Sequence, residues 1–293
     1  MKIGIFGSNY QTNKQISIKN LFDQLKKRQA EVWVEEFFYD YLSKTFAFTP
    51  SIAGLINQEP LALDVAFSLG GDGTFLRTAT WIGRQTIPVL GINLGRLGFL
   101  ADISAFEMEQ VVDAIFSKNY SLEEKRLLQL DYPLPFHGEY NYALNEIAVL
   151  KRDTSSMISI SAFLNDEFLT EYLADGLLIS TPTGSTAYNL SVNGPIILPQ
   201  CRNFVLSPVA PHSLNVRPLV IPEDYKIRLK VVSRSQNFLI ALDGRSDVFP
   251  SGVEFQIQKA DFTISVVKLP HYSFYDTLRK KLLWGTDIRE NEK

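Results

Sequence analysis

Residues 61–82 read LALDVAFSLGGDGTFLRTATWI. Leu61 to Leu69 is a mostly apolar run, Gly70-Gly71 closes it, and Thr74 to Ile82 has helical character. A strand that is apolar along its length has no solvated face. It therefore belongs to a parallel sheet covered on both sides by helices. Similar runs alternate on either side of it. Lys2 to Phe6 is a β-type run ending in Gly7-Ser8, and Ile18, Leu21, Phe22 and Leu25 predict an amphipathic helix over Ser17 to Gln29. Glu31 to Phe38 returns to β-branched and aromatic residues. Pro88 to Ile92 is a further short strand, and Met108, Val111, Val112, Ile115 and Phe116 mark another helix. The fold class of this half is a doubly wound α/β domain. In such sheets ligands bind beyond the carboxyl ends of the strands, where the Gly70 loop lies.

The pattern changes near Leu127. From there to Pro270 helical periodicity is nearly absent, and short β runs follow one another: Tyr140 to Leu150, Ser159 to Leu164, Phe168 to Tyr172, Tyr225 to Val232 and Val253 to Gln258. Asn165-Asp166 and Asp243-Gly244 read as hairpin turns. This spacing predicts a β-sandwich. Tyr275, Leu278, Leu282 and Leu283 give a last short helix whose partner the pattern does not name. The expected division is an α/β domain over 1–125 with 272–293, and a β-sandwich over 126–271.

Composition narrows the function. The chain has 293 residues, 45% hydrophobic and 21% charged, which suits a folded globular protein. Lys and Arg number 29 against 32 Asp and Glu, a net charge of −3, so no basic excess points to nucleic acid or a membrane surface. Cys201 is the one cysteine, which removes an internal disulfide framework and agrees with a reducing compartment. No apolar run approaches the ~18 residues of a membrane span, and the opening KIGIF reads as a strand rather than a signal segment. The expectation is a cytoplasmic protein acting on a small molecule.

Two segments carry most of the chemistry. In Gly70-Gly71-Asp72-Gly73-Thr74, glycines permit positive φ and close backbone approach, and the amides of the following helix can receive phosphate oxygens. Asp72 could there accept a proton from a hydroxyl or orient a metal; the plain alternative is a helix N-cap. Neither GxxxxGK[ST] nor GxGxxG is present. The second segment, Asp175 to Ser191, crowds Ser180, Thr181, Thr183, Ser185 and Thr186 around Pro182 and Gly184, offering hydroxyls and amides to a ribose or phosphate. Asn145-Glu146, two polar residues in an apolar run, suit a ribose diol or a solvated edge. Gly91, Gly95 and Gly98 make another flexible turn, where Arg96 could simply face solvent, and Arg77 could reach a phosphate or be solvated. His137, His212 and His271 are scattered without the spacing of a zinc site.

In combination these pieces resemble the NAD kinase family. The matching stretches are GGDGTFLRTA at 70–79, GINLGRLGFLAD at 91–102, LNEIAVL at 144–150, DGLLISTPTGSTAYNLSVNGPI at 175–196 and PHSLNVRPLVI at 211–221. GGDGT alone is shared with phosphofructokinases and with lipid kinases of the diacylglycerol type; the long TPTGSTAY segment is far more specific. The resemblance implies an N-terminal α/β domain, a C-terminal β-sandwich and a chain end that returns to the first. It also implies a homo-oligomer, a dimer or tetramer.

By motif, the resemblance makes Asp72 the general base and Gly73 a backbone contact to the dinucleotide, with Arg77 beside it. Gly70, Gly71, Gly73 and Thr74 would form the phosphate-donor loop. Asn145 and Glu146 would hold the ribose, and Asp175 the nicotinamide end. Thr186, Ala187, Tyr188, Asn189, Leu190 and Ser191 would hold the adenosine and its neighbours, and Ala210 and Arg245 match further positions. A departure is Val192-Asn193 ahead of Gly194-Pro195, where the family has a small Ala-Gly stretch. The implied reaction moves the terminal phosphoryl group of ATP, or of polyphosphate, to the 2′-hydroxyl of the adenosine ribose of NAD. A divalent cation, Mg²⁺, would arrive with the donor rather than sit in a protein cage. The competing readings are a lipid kinase using the same loop and a non-catalytic NAD-sensing module.

Overall fold

The computed structural model describes residues 1–9, 14–57, 61–95, 97–132, 140–153 and 156–285; Arg96 and His137 lie outside them. The chain forms two compact units, Met1–Glu124 with Ile264–Lys293, and Lys125–Thr263. In the first, the order is β1 (Lys2–Gly7), α1 (Gln15–Lys27), β2 (Glu31–Glu35), α2 (Glu36–Phe46), β3 (Gly54–Ile56), β4 (Val65–Gly70), α3 (Asp72–Ile82), β5 (Val89–Asn93), β6 (Ile103–Ser104) and α4 (Met108–Phe116). The strands run β3-β2-β1-β4-β5, all parallel. Alternation along each strand decides what it touches. Ile3 and Ile5 of β1, with Val65, Phe67 and Leu69 of β4, join the core cluster that holds Leu21 and Leu25 of α1 and Val111 and Ile115 of α4. Phe6, pointing the other way, meets the Trp81 ring of α3 at 4.9 Å. Helices therefore cover both faces, and the order reverses between β1 and β4, the place where such sheets bind ligands.

The aromatic run at 36–41 behaves differently from its propensity. Glu31 to Phe38 reads as strand in the sequence, but the strand stops at Glu35 and Glu36 opens a helix. Phe38 and Leu42, one turn apart, are both buried in the core. Packing at helical spacing overrides the β preference of consecutive aromatics.

The second unit carries β7 (Ser121–Asp131, entering from the first), β8 (Tyr142–Ala143), β9 (Glu146–Lys151), β10 (Ile158–Leu164), β11 (Glu167–Ala174) and β12 (Gly176–Ser180). A one-turn α5 (Tyr188–Ser191) follows, then β13 (Asn203–Val209), β14 (Leu219–Pro222), β15 (Ile227–Ser233), β16 (Asn237–Leu242), β17 (Arg245–Pro250) and β18 (Glu254–Lys268). One antiparallel sheet runs β14-β13-β12-β9-β16-β17; in the other, β11, β10, β15 and the start of β18 are neighbours. Ile147, Val149, Leu177, Phe204 and Phe238 from the first sheet share one core with Ile160, Leu229, Val231 and Phe255 from the second. This is a sandwich. Both expected hairpins form, with positive φ at Asn165, Asp166, Asp243 and Gly244. The single strand expected over Tyr140 to Leu150 is instead interrupted at Leu144-Asn145. The end of β18 pairs with β5 (Val266 with Val89), and α6 (Phe274–Leu282) closes the first unit.

Gly91 of β5 shows how tightly the loop after β5 is laid back on its strand. A methyl group there would lie 2.5 Å from the Leu100 carbonyl oxygen and 2.9 Å from Ala101 Cα, both backbone. Gly91→Ala is expected to destabilise the protein by about 1–3 kcal/mol, the usual cost of forcing atoms into a filled site. Urea unfolding checks this, and an unchanged midpoint would mean that the loop gives way freely.

Candidate active site

In the first unit the site grows from the turn between β4 and α3. Gly71 is the helix N-cap, and its carbonyl accepts from the amides of Thr74 (3.0 Å) and Phe75 (3.2 Å). Gly70 is needed for contact, because a side chain there would collide with the Thr74 hydroxyl; the space over Gly71 and Gly73 is open. The expected positive φ values are thus not what fixes these two glycines: Gly71 has φ −99° and Gly73 is helical.

Asp72 is the first residue of α3, inside the Gly71 N-cap, which removes its own N-cap reading. Its carboxylate turns to the loop after β5. Oδ2 accepts from the Phe99 amide (3.0 Å), and Oδ1 accepts from the amides of Leu100 (2.9 Å) and Ala101 (3.0 Å). Lys281 Nζ of α6 stands 3.4 Å from Oδ2. Burial alone would push this carboxyl up; the three amides and the ammonium outweigh it and hold the pKa below the usual carboxylate value. A carboxylate has about four acceptor positions, and the three amides with the Lys281 ammonium engage all four; the long 3.4 Å Lys281 contact on Oδ2 is the one a further donor would share. Gly98 is required here, since a methyl group would collide with Oδ1. Arg77, one turn along, is held by the Gly7 carbonyl and by Glu35 Oε2 (3.1 Å).

In the second unit a different acid organises the binding segments. Asp243, the first residue of the β16–β17 turn, accepts from three successive amides: Leu144 (2.7 Å), Asn145 (2.8 Å) and Glu146 (3.2 Å). These bonds make the break between β8 and β9. Arg245 donates to the carbonyls of Tyr140 (2.8 Å) and Tyr142 (2.6 Å) and lies over the Tyr140 ring. Asn145 and Glu146 are therefore buried rather than a solvated edge. Glu146 Oε2 is buried without a hydrogen-bond partner. Burial, then the charge of Asp243, push the Glu146 pKa to about 8, against a smaller downward pull from the Tyr188 amide. A buried carboxyl oxygen with nothing to bind is costly unless a ligand hydroxyl meets it.

The hydroxyl-rich loop divides into scaffold and surface. Ser180, Thr181 and Ser185 are fully buried and spent internally. Thr181 Oγ1 donates to the Leu144 carbonyl (2.6 Å) and accepts from the Gly184 amide (3.1 Å), while Ser185 Oγ donates to the Pro182 carbonyl (2.7 Å). Gly184 lies so close to the Asn145 carbonyl that any side chain would collide with it. Asn189 is also internal: Nδ2 donates to the carbonyls of Ser185 and Pro195, and Oδ1 accepts from Ser207 Oγ (2.6 Å). Thr186, Ala187, Tyr188, Leu190 and Ser191 are left partly or well exposed. The unusual Asn193 sits at φ 61°, a left-handed conformation that Asn tolerates. Asp175 pairs with Lys151 at 2.6 Å, and Ala210, with φ 44°, ends β13. Sequence reasoning missed Asp243, whose Asp-Gly dipeptide looked like a plain hairpin, and Lys281.

Known structures share this fold. Over 99% of the chain it matches 89% of yeast NADH kinase, solved with NADH, at a TM-score of 0.88 and 23% identity. An NAD kinase from Archaeoglobus fulgidus, solved with ATP, matches 97% of the chain and 99% of its own length at 0.75 and 24%. The class is thus the two-domain fold of the NAD(H) kinases. Residues 3–120 match the ATP-NAD kinase N-terminal domain and residues 144–269 the ATP-NAD kinase C-terminal domain. NAD kinase of Porphyromonas gingivalis is 47% identical over 289 residues, covering 98% of this chain and 99% of that protein. NAD kinase of Bacteroides fragilis is 48% identical over 289 residues, covering 99% and 100%. The chain belongs to the ATP-NAD kinase family.

The raised pKa of Glu146 carries a stability signature. An unfolded Glu titrates near ~4.3, so the folded protein holds this proton more tightly, and stability falls as pH rises from there towards 8. Glu146→Gln mimics the neutral form and removes that loss. The variant's melting temperature should gain on the wild type by up to roughly 8–16 °C between pH 5 and pH 8.5, taking about 1.4 kcal/mol per unit over about three units and about 2–4 °C per kcal/mol. A constant gap across that range would mean that Glu146 is ionised throughout.

Proposed function

We propose that the protein transfers the terminal phosphoryl group of ATP to the 2′-hydroxyl of the adenosine ribose of NAD, giving NADP. The observation that carries this reading is the near full-length likeness to NAD kinases, together with an ionised Asp72 in a glycine turn at the sheet's switch point. Asp72 accepts the hydrogen bond of the attacking hydroxyl at Oδ2, sharing it with the long Lys281 contact, and takes the hydroxyl proton as the new O–P bond forms and the bond to the departing ADP breaks. Its lowered pKa suits a loose transition state, in which little proton has moved when the phosphorus is attacked. Gly71 and Gly73 present open backbone at the helix N-terminus, flanked by Gly70 and Thr74, where donor phosphates are favoured. Mg²⁺ carried on those phosphates would neutralise their charge; with three of Asp72's acceptor positions on backbone amides, the phosphates themselves are its holders.

In the second unit, Glu146 and Asn145 hold ribose hydroxyls, and Thr186 to Ser191 line the adenosine, with the exposed Tyr188 ring as a packing surface. Asp175 takes the nicotinamide end, and Ala210 and Arg245 complete the contacts. Arg77 acts on the dinucleotide through Gly73's helix, since its guanidinium is engaged by Glu35. The protein works in the cytoplasm as a homodimer or homotetramer. Phe168 and Leu173, exposed on edge strand β11, offer an apolar face for that assembly. Among the described residues no helix is long and apolar enough to cross a membrane.

The purified protein with ATP and Mg²⁺ should phosphorylate NAD and leave diacylglycerol untouched; the reverse would overturn the reading. Asp72→Asn keeps the size and loses the proton acceptor, so kcat should fall by ~10²–10⁴-fold with little change in the KM for NAD. Full turnover in that variant would place the base elsewhere. Tyr188→Ala should raise the KM for NAD by roughly 10- to 100-fold while moving that of ATP less. An unchanged KM for NAD would make the loop purely structural.

A further inference from the structure

Asp72 is held by a loop that has no secondary structure of its own between Leu97 and Asp102. What holds the loop is α6, almost two hundred residues further along. Ser273 caps that helix: its Oγ accepts from the Asp276 amide (3.1 Å) and donates to Asp276 Oδ2 (2.9 Å). The helix then grips Phe99 twice. The Phe274 ring lies 5.9 Å from the Phe99 ring, and Lys281 Nζ stands 4.6 Å from its centroid. The same Nζ is 3.4 Å from Asp72 Oδ2, the oxygen that accepts the Phe99 amide. One ammonium therefore touches both partners of a single hydrogen bond: the acceptor oxygen directly, and the donor residue through its ring.

From this geometry we infer that Lys281 is a positioning residue for the phosphoryl-transfer site, fixing the Asp72 carboxylate and the Phe99–Ala101 amides in one arrangement. The inference rests on the reading of Asp72 given above. Among the described residues, the neighbouring charges are paired elsewhere. Asp102 is paired with Lys268 (2.6 Å), Arg77 with Glu35 (3.1 Å), and Arg279 of α6 with Asp276. Oδ2 is also the oxygen assigned above to the substrate hydroxyl, so any movement of it changes the line of attack. An exposed ion pair of no consequence would behave differently, because losing it costs little and has no address in the reaction.

The test uses the full chain carrying Lys281→Met, Lys281→Arg or, as a control on the same helix, Lys280→Met. Misplacing a reacting group by an ångström costs up to about a hundredfold, so Lys281→Met should lower kcat by roughly ten- to a hundredfold with the KM for NAD nearly unchanged. Lys281→Arg should recover most of the loss, and Lys280→Met should behave as wild type. In an Asp72→Asn background, Lys281→Met should cost nothing further, because its action runs through that carboxylate. Independently of turnover, amide hydrogen exchange across 97–102 should quicken several-fold in Lys281→Met. Wild-type kcat and exchange in Lys281→Met, failure of Arg to rescue, or an additive loss in the double variant would each overturn the inference. A wild-type protein that phosphorylates no NAD would sink the functional reading instead, while the exchange measurement still judges the clamp.

Discussion

The structure depends on one kind of interaction used twice: a partly buried aspartate that accepts three successive backbone amides from a segment far away in the chain. Asp72 takes those of Phe99, Leu100 and Ala101, and Asp243 takes those of Leu144, Asn145 and Glu146. Three amides pointing to one place need an anion, since each left unpaired in a buried position would cost free energy. The aspartate in turn needs the amides, because burial penalises its charge. Each half of the arrangement is costly alone and stable together. That is how irregular backbone can be held to a fixed shape beside a reacting group.

The two aspartates end in different electrostatic states. At Asp72 the amides and Lys281 prevail over burial, and the carboxyl stays below its ordinary pKa. Asp243 lies deeper, and burial prevails over the same number of amides and over Arg245, so its pKa rises. Asp243 then acts on Glu146, adding its charge to the burial that already raises that pKa. The first unit thus offers a carboxylate ready to accept, and the second a carboxyl that holds a proton near neutrality. In the proposed reaction, proton acceptance falls to the first environment and hydroxyl recognition to the second.

The glycines of the quoted motifs are explained by what lies opposite them. Gly91 lies against the Leu100 carbonyl, Gly98 against the Asp72 carboxylate, Gly184 against the Asn145 carbonyl, and Gly194 against the Asn189 side chain. None of these four has a positive φ, so close approach rather than backbone freedom decides them. Gly71 and Gly73 are different. Nothing of the protein stands over them, which leaves the backbone open to a ligand.

Hydrophobic period and turn chemistry alone determined the parallel α/β half, the β-sandwich, the two hairpins at Asn165 and Asp243, and the place of Asp72 on a strand-to-helix turn. These are local signals, carried by neighbours in the chain, and the motif resemblance extended them to the family. Tertiary structure decided the rest. The helix at Glu36–Phe46 formed against its β-favouring aromatics because Phe38 and Leu42 find a core on one side. Asn145-Glu146 became a buried break in a strand because Asp243, 97–99 residues away, takes the amides of 144–146. Lys281 reads in sequence as one of several cations on a final helix. Its contact with Asp72 spans 209 residues, and no periodicity or spacing encodes a pairing across such a distance. Local sequence biases what a segment will be, and packing overrides that bias at Glu36–Phe46. Which segments meet is settled by the folded chain, where the desolvation of one charge is offset by donors brought from elsewhere.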